Sequence, residues 1–174
     1  MTDPPFGLPT CYLVLLGTWG VIGLAGLVRP ASVFVVGRVL FPLGALVGLA
    51  LAAASLAGIA QPAESLVLPI GLPDLPFHVR RDALSDVFLF LLGAASAGIS
   101  VFSAGYFRSG VGTPPGVLCL QYHLFLASMG LVLLADDAYA FMFAWEGHEQ
   151  HSLATDFVHS NIHGWDIGLS LTFY

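Results

Sequence analysis

Two side chains in apolar stretches of this sequence could carry a proton. Glu146 directly follows eight apolar or aromatic residues, and His123 lies within the apolar run 117–135. A carboxyl group held away from water resists ionisation and a nearby cation favours it, so such a group can load and release a proton as its neighbours move. Histidine titrates close to neutral pH. We predict Glu146 as a proton-carrying acid and His123 as a relay. The alternatives are an interfacial Glu146 and a His123 bonded to a backbone carbonyl.

Histidines near the C-terminus have spacings that could suit a metal ion. Four of the six histidines lie in residues 147–174, as His148-x-x-His151 and His159-x-x-x-His163. Metal sites with such spacing usually add a cysteine or a defined helix, and this tail has neither signal. We therefore expect no metal site and no cofactor in this chain.

Four other residues are predicted to have structural roles. Asp82 and Ser85 precede the third apolar run and can both cap a helix there. Gly44 and Gly48 form a GxxxG pair, which lets a neighbouring helix approach closely. The alternative is that glycine is simply common in membrane helices.

The composition excludes a water-soluble fold. Of 174 residues, 57% are hydrophobic and only 9% are charged, whereas about 25% are charged in a typical soluble domain. The net charge of −6 argues against a nucleic-acid partner, because phosphate binding needs a basic surface. Lipid is the solvent that this composition fits.

Long apolar runs set the architecture, and they carry no charge except Asp86, near the start of the third run. Each of the four runs is close in length to the ~20 residues needed to cross ~30 Å of hydrocarbon. Between the second and third runs, prolines exclude a continuous helix and alternating residues predict an extended hairpin. The sequence predicts an all-α integral membrane protein with four to five transmembrane helices in residues 1–146, followed by an atypical His-rich tail at 147–174. The predicted spans are 8–28, 39–60, 84–107 and 117–135, with a fifth starting at 138.

The arginines give a weak indication of orientation. Arg29 and Arg38 lie in the first loop and Arg108 in the third, against Arg80 and Arg81 in the second. Cytoplasmic loops carry an excess of Lys and Arg. This three-to-two bias places the N-terminus and the second loop on the outer side.

Several motifs in residues 66–146 occur in the order and spacing of a known family. The motifs are Phe77-His78-Val79-Arg80, Asp82-Ala83-Leu84-Ser85, Gly105-Tyr106-Phe107-Arg108, Leu133-Leu134-Ala135-Asp136 and Phe141-Met142-Phe143-Ala144-Trp145-Glu146. With these motifs the chain resembles the antiporter-like, proton-conducting subunits of complex I, of multisubunit cation/proton antiporters and of hydrogenase-4 or formate hydrogenlyase complexes, and in particular hydrogenase-4 component B.

The resemblance implies a role and a setting. Glu146 would be the family's fifth-helix glutamate, which pairs with a lysine on a later helix, although this chain contains no lysine. The family's subunits have about fourteen helices, so the chain would be their N-terminal part. It would be a multi-pass, non-catalytic subunit in the cell inner (cytoplasmic) membrane. Its partners would be the bilayer and the other subunits of a hydrogenase or complex I-like assembly, which would hold the redox cofactors.

The chain departs from the family pattern after Glu146. The family continues with a methionine or leucine, serines and a long apolar helix, whereas this sequence reads Gly147-His148-Glu149-Gln150-His151-Ser152. Our hypothesis is that reading-frame shifts produced this tail, and we expect that the chain alone does not pump protons. Two further functions stay open: a structural membrane fragment that does not conduct, and a small metal-binding membrane protein.

Overall fold

Long apolar helices dominate the computed structural model, which describes residues 7–72, 75–106 and 114–146. Within these ranges, four helices are long and apolar enough to cross a membrane. The protein is therefore a helical, multi-pass membrane protein. The tail at 147–174 and Arg108 lie outside the described residues. The helices are α1 (Leu8–Gly26), α2 (Val33–Gly58), α3 (Ala83–Tyr106) and α4 (Pro115–Leu134), followed by a short helix α5 at residues 138–146.

Helix α2 begins before the expected start at Val39. The Ser32 side chain accepts a hydrogen bond from the backbone N–H of Val35 (3.4 Å) and so caps the helix ahead of the uncharged run. Arg38 consequently lies inside the helix, with its guanidinium 6.0 Å from the centre of the Phe34 ring. The expectation that Arg38 lies in the first loop is therefore corrected, because a long side chain can lie along a helix and direct its charge outward.

The second turn of α2 is a π-helix, Val36–Leu40. Its wider winding brings the N–H of Phe41 to the carbonyl of Val36. The next residue, Pro42, has no N–H to donate and would clash with the carbonyl four residues before it in a regular α-helix. The π-turn accommodates this proline without ending the helix.

A two-stranded antiparallel hairpin occupies the second loop, where the prolines and the alternating residues predicted an extended structure. Strand β1 (Glu64–Leu72) pairs with β2 (Leu75–Arg81), with Glu64 opposite Arg81 and Leu68 opposite Phe77. The register shifts between Leu68 and Gly71. The hairpin joins α2 to α3 at one end of the helix bundle, which we call the hairpin end.

The helices run alternately up and down, so the start of α1 and the junction of α4 with α5 also lie at the hairpin end. At the opposite end, the backbone N–H of Gly116 donates to the carbonyl of Pro30 (2.9 Å). A Cβ on Gly26 would lie 2.9 Å from the carbonyl oxygen of Gly116, so α1 and α4 are in close contact there.

The surface of the bundle is largely apolar, as lipid requires, and ten side chains with polar groups are buried within the described residues. Large side chains that point outward include Val21, Leu46, Leu56, Leu91 and Val101, each more than half exposed. Bundles in lipid lack a hydrophobic force between helices and associate through close packing and interhelical hydrogen bonds. The buried side chains with polar groups are Tyr12, Trp19, Ser55, Arg81, Asp86, Ser96, Ser100, Cys119, His123 and Ser128.

Small residues allow α2 and α3 to touch through their backbones. A Cβ on Gly93 would lie 2.6 Å from the carbonyl oxygen of Gly48 and 2.8 Å from the amide nitrogen of Ala52. A Cβ on Gly48 would lie 2.8 Å from the carbonyl oxygen of Gly93. Both neighbours are backbone atoms, which cannot rotate away as a side chain can.

Replacing Gly93 with alanine should separate α2 from α3. Gly98, on the same helix, provides the matched control, because a methyl group added there would meet no heavy atom within 4 Å. Overpacking of this kind costs about 1–3 kcal/mol, while both substitutions gain the same helix propensity. We expect Gly93→Ala to lower the free energy of unfolding in mixed detergent micelles and Gly98→Ala to leave it unchanged or raise it. Equal effects of the two variants would contradict the close crossing.

Candidate functional site

An ion pair is buried at the hairpin end of the bundle. Arg81 Nη1 donates to Asp86 Oδ2 at 2.8 Å, and neither side chain is exposed (0% each). The hydroxyl of Tyr12 donates to the other carboxylate oxygen, Asp86 Oδ1, at 2.7 Å. We call Tyr12, Arg81 and Asp86 the Arg81 cluster. It joins α1, the hairpin and α3.

Backbone carbonyls at the end of α2 complete this cluster. Arg81 Nη1 also donates to the carbonyl of Gly58 (2.9 Å), and Nη2 donates to the carbonyl of Pro62. Carbonyls at the end of a helix have no partner within it and carry partial negative charge. A Cβ on Gly58 would lie 2.7 Å from Asp86 Oδ2, so only glycine leaves room for the cluster at this position.

Asp82 holds the start of α3 beside the cluster. Its Oδ1 accepts a hydrogen bond from the backbone N–H of Ser85 at 2.8 Å, so Asp82 is the capping side chain. This hydrogen bond holds the pKa of Asp82 below its ordinary value. Because a cap fixes the first turn of α3, it also fixes the direction of Asp86 one turn later.

The Arg81 cluster is not predictable from the sequence alone, where Arg81 counts only among the arginines that indicate orientation. The available signal was Asp86 itself, a charge inside an otherwise apolar run, because such a charge requires a partner. The pairing with Arg81 depends on the turn between β2 and α3, which spacing alone does not specify.

His123 is buried between α1, α2 and α4. Its Nδ1 lies 2.8 Å from the carbonyl oxygen of Cys119, one turn earlier on α4, so Nδ1 carries the proton when the ring is neutral. The other nitrogen, Nε2, is buried and has no hydrogen-bond partner within the described residues. Its lone pair is therefore available for a proton.

Gly44 faces this ring. A Cβ at Gly44 would collide with His123 Nε2, so the absence of a side chain there makes space for the imidazole. The indole N–H of Trp19 donates to the Gly44 carbonyl at 3.2 Å. The centres of the Phe41 and His123 rings are 5.5 Å apart. The structure thus brings Gly44 and His123 together, while Gly48, one turn further on, packs against α3.

Tyr122, beside His123, extends the polar region toward α3. Its hydroxyl donates to the carbonyl of Ser96 (3.0 Å) and lies 3.2 Å from Ser100 Oγ. The Tyr122 ring lies 5.1 Å from the His123 ring and nearly perpendicular to it. Hydroxyl groups and a neutral imidazole therefore lie together in the apolar interior.

Glu146 is the last described residue of α5. It is exposed in this chain, and no hydrogen bond or ion pair to it is present within the described residues. Four neighbouring residues with large side chains are also exposed by 42–61%: Phe141, Met142, Phe143 and Trp145. The structure thus places Glu146 at an open apolar face, away from the buried ring of His123.

No group of three or more His, Cys, Asp or Glu side chains suited to a metal ion occurs within the described part of the chain. The tail histidines lie beyond that part. No protein-family model matches the chain, and no curated protein matches it. The class that the fold and these sites define is a helical multi-pass membrane protein with a buried ion pair and a buried histidine.

Breaking the Arg81 cluster should destabilise the bundle strongly. Removing one partner of a buried ion pair leaves the other charge unpaired and costs about 3–5 kcal/mol, so we expect Arg81→Gln and Asp86→Asn each to lower the free energy of unfolding in mixed micelles by that order. Arg80→Gln is the matched control. Arg80 is exposed and 3.9 Å from Asp136, and such pairs contribute about 0–1 kcal/mol.

A double variant tests whether the unpaired charge causes the loss of stability. The double variant Arg81→Met with Asp86→Leu removes both charges, so we expect it to be more stable than either single variant. A double variant less stable than both single ones, or equal losses for Arg80→Gln and Arg81→Gln, would show that the charges are not buried as a pair.

Proposed function

We propose that this chain contributes the N-terminal helices of a proton-translocating membrane subunit of an oxidoreductase complex. The complex would be of the hydrogenase-4/formate hydrogenlyase type or the NADH–quinone oxidoreductase type, in the cytoplasmic membrane. The resemblance described above motivates this assignment. The single structural observation that supports it most is His123, a fully buried imidazole with an available lone pair on Nε2.

His123 has the chemistry that a relay needs. Its neutral form is fixed as the Nδ1–H tautomer by the Cys119 carbonyl, so a proton would arrive at Nε2. The resulting imidazolium would be costly in an apolar interior unless an anion approached or a cation withdrew. Proton loading at this ring would therefore respond to charge movements in neighbouring helices or subunits.

Glu146 would provide the second proton-carrying group. In this proposal, additional helices cover the open apolar face of α5 and bring the carboxyl group out of water. A cation on one of those helices would then set its protonation, since a neighbouring positive charge favours the carboxylate and desolvation opposes it. The redox cofactors would belong to partner subunits.

The arginine count motivates the orientation that we assign. Arg29 and Arg38 lie at the end of the bundle opposite the hairpin, Arg80 and Arg81 lie on the hairpin, and with Arg108 the loops of the sequence count three to two. Under the positive-inside rule this bias turns the end opposite the hairpin to the cytoplasm. The hairpin, the Arg81 cluster and the start of α5 then face the outside.

The Arg81 cluster favours a second candidate function, a structural one. Its carboxylate accepts from both Arg81 and Tyr12, and its guanidinium also bonds to two carbonyls. Such a group ties helices together and has no need to move a proton. A chain with this role would pack within an assembly without conducting.

Co-purification separates membership of an oxidoreductase complex from an unrelated role. We expect the tagged chain, extracted from its native membranes in mild detergent, to carry hydrogenase or NADH dehydrogenase subunits with it. In that assembly, Glu146→Gln should slow proton translocation by at least about tenfold, since a positioned acid or base typically contributes at least that much to the rate of proton transfer. His123→Gln should reduce it less. Glu64→Gln, on the hairpin, is the control that should have no effect.

The isolated chain provides the complementary measurement. Reconstituted in liposomes, it should show no proton flux above that of empty vesicles, because conduction in this proposal needs the additional helices that cover α5. Purification without any oxidoreductase subunit would contradict the proposed complex. Unchanged translocation in Glu146→Gln within a complex would favour the structural role. Flux through the isolated chain that Glu146→Gln abolishes would show that it conducts alone.

A further inference from the structure

Strand β2 of the hairpin is attached to the junction between α4 and α5. His78 Nδ1 lies 2.9 Å from Asp137 Oδ2, and the backbone N–H of Asp136 donates to the carbonyl of His78 at 3.2 Å. Val79 and Ala135 form an isolated antiparallel β-bridge. The junction therefore pairs with β2 through one β-bridge, and two side-chain ion pairs lie beside it, His78–Asp137 and Arg80–Asp136.

The carboxylate of Asp137 has two partners at once. Its Oδ1 accepts a hydrogen bond from the backbone N–H of Ala140 at 2.6 Å, which caps the first turn of α5. Its Oδ2 is the atom that meets His78. A single side chain thus joins the hairpin to the start of α5, and any change at His78 acts on the cap of that helix.

Aromatic contacts extend the attachment on the apolar side of β2. The Phe77 ring meets the edge of Tyr139 at 6.5 Å and of Phe143 at 5.8 Å between ring centres. These contacts reach the first two turns of α5. They do not depend on pH, so the polar contacts decide whether the attachment responds to protons.

We propose that His78 and Asp137 form a pH-dependent clasp, which holds the hairpin against α5 when His78 is protonated and loosens when His78 is neutral. A charge-assisted hydrogen bond is about twice as strong as a neutral one. The clasp goes beyond the proposed function, because it regulates the position of α5 whether or not Glu146 carries protons. Because the proposed orientation places the hairpin end outward, the clasp would respond to the pH of the outer compartment.

Of the charged and titratable groups around this contact, His78 is the one to which we assign the pH response. From the α4–α5 junction, Asp136 and Asp137 face it, and Arg80 accompanies it on β2. The residue opposite on β1 is Val67, which is apolar. Arginine stays charged at all relevant pH values. The imidazole is 40% exposed, so water can deliver a proton to it.

Asp137 stays ionised over the range in which histidines titrate. The backbone N–H of Ala140, together with His78, holds the pKa of Asp137 below its ordinary value. A carboxyl group with a lowered pKa contributes its stabilisation fully above its unfolded pKa of about 4 and loses it as the pH falls through the folded value. Of the two side chains in this contact, the histidine is therefore the one to which we assign the pH response, because histidine is the side-chain type that ordinarily changes charge between about pH 5 and pH 8. The clasp should weaken as the pH rises through this interval.

Hydrogen exchange of the full chain in nanodiscs tests the clasp. Exchange of the α5 amides is compared with that of the first turns of α3 in the same sample, which cancels the intrinsic effect of pH. On going from about pH 5.5 to about pH 8, we expect the α5-to-α3 ratio to rise about two- to fivefold, the range of an exposed ion pair. In His78→Gln, the ratio should not change with pH.

Two further variants make the outcome specific. Asp137→Asn keeps an oxygen for the Ala140 cap but removes the charge, so it should also abolish the pH response. Arg80→Gln disrupts the neighbouring pair with Asp136 and should retain the response. A pH response that persists in both His78→Gln and Asp137→Asn, or a wild-type chain with no response, would overturn the clasp.

Discussion

The ion pair between Arg81 and Asp86 is the interaction on which the hairpin end of this bundle depends. Removing two charges from water is expensive, and their mutual attraction offsets the penalty only when the remaining donors and acceptors find partners. The Tyr12 hydroxyl and the carbonyls of Gly58 and Pro62 supply them for every polar atom of the pair except Arg81 Nε, which has no hydrogen-bond partner within the described residues. Because these partners come from α1, from the end of α2, from the hairpin and from α3, meeting the electrostatic requirement also fixes where four segments of the chain meet.

Deeper in the bundle, close packing replaces charge as the organising constraint. In lipid, helices gain little from burying apolar side chains against one another, and small residues at their crossings become decisive. Gly48 and Gly93 bring the backbones of α2 and α3 together, and Gly44 makes the space that His123 fills. The buried position of the histidine is therefore a consequence of helix packing. The same packing that stabilises the bundle leaves Nε2 without a partner among the residues that the structure describes.

Sequence reasoning recovered the features that depend on local patterns. Four apolar helices follow from run length and composition, and the hairpin follows from prolines and alternation. The start of α2 was missed because an uncharged-run criterion stops at Arg38, whereas the helix accepts that side chain and winds as a π-turn ahead of Pro42.

The Arg81 cluster was missed for a different reason. Its partners lie up to 74 residues apart in the chain, and only the tertiary fold brings Tyr12 to Asp86. His123 and Glu146 were identifiable as polar residues in apolar runs, but their surroundings were not.

Two ion pairs on the same strand differ in the property that decides whether they can switch. Arg81 is fully buried and pairs through a guanidinium that does not titrate, so its contact is a fixed point at all relevant pH values. His78, three residues earlier, is partly exposed and pairs through an imidazole, the side-chain type that ordinarily changes charge near neutral pH. Strand β2 is thus permanently bound to α1, α2 and α3 at its end and conditionally bound to α5 nearer its middle. A change of charge at His78 therefore acts against a rigid support, which directs its effect to α5 and not to the hairpin as a whole.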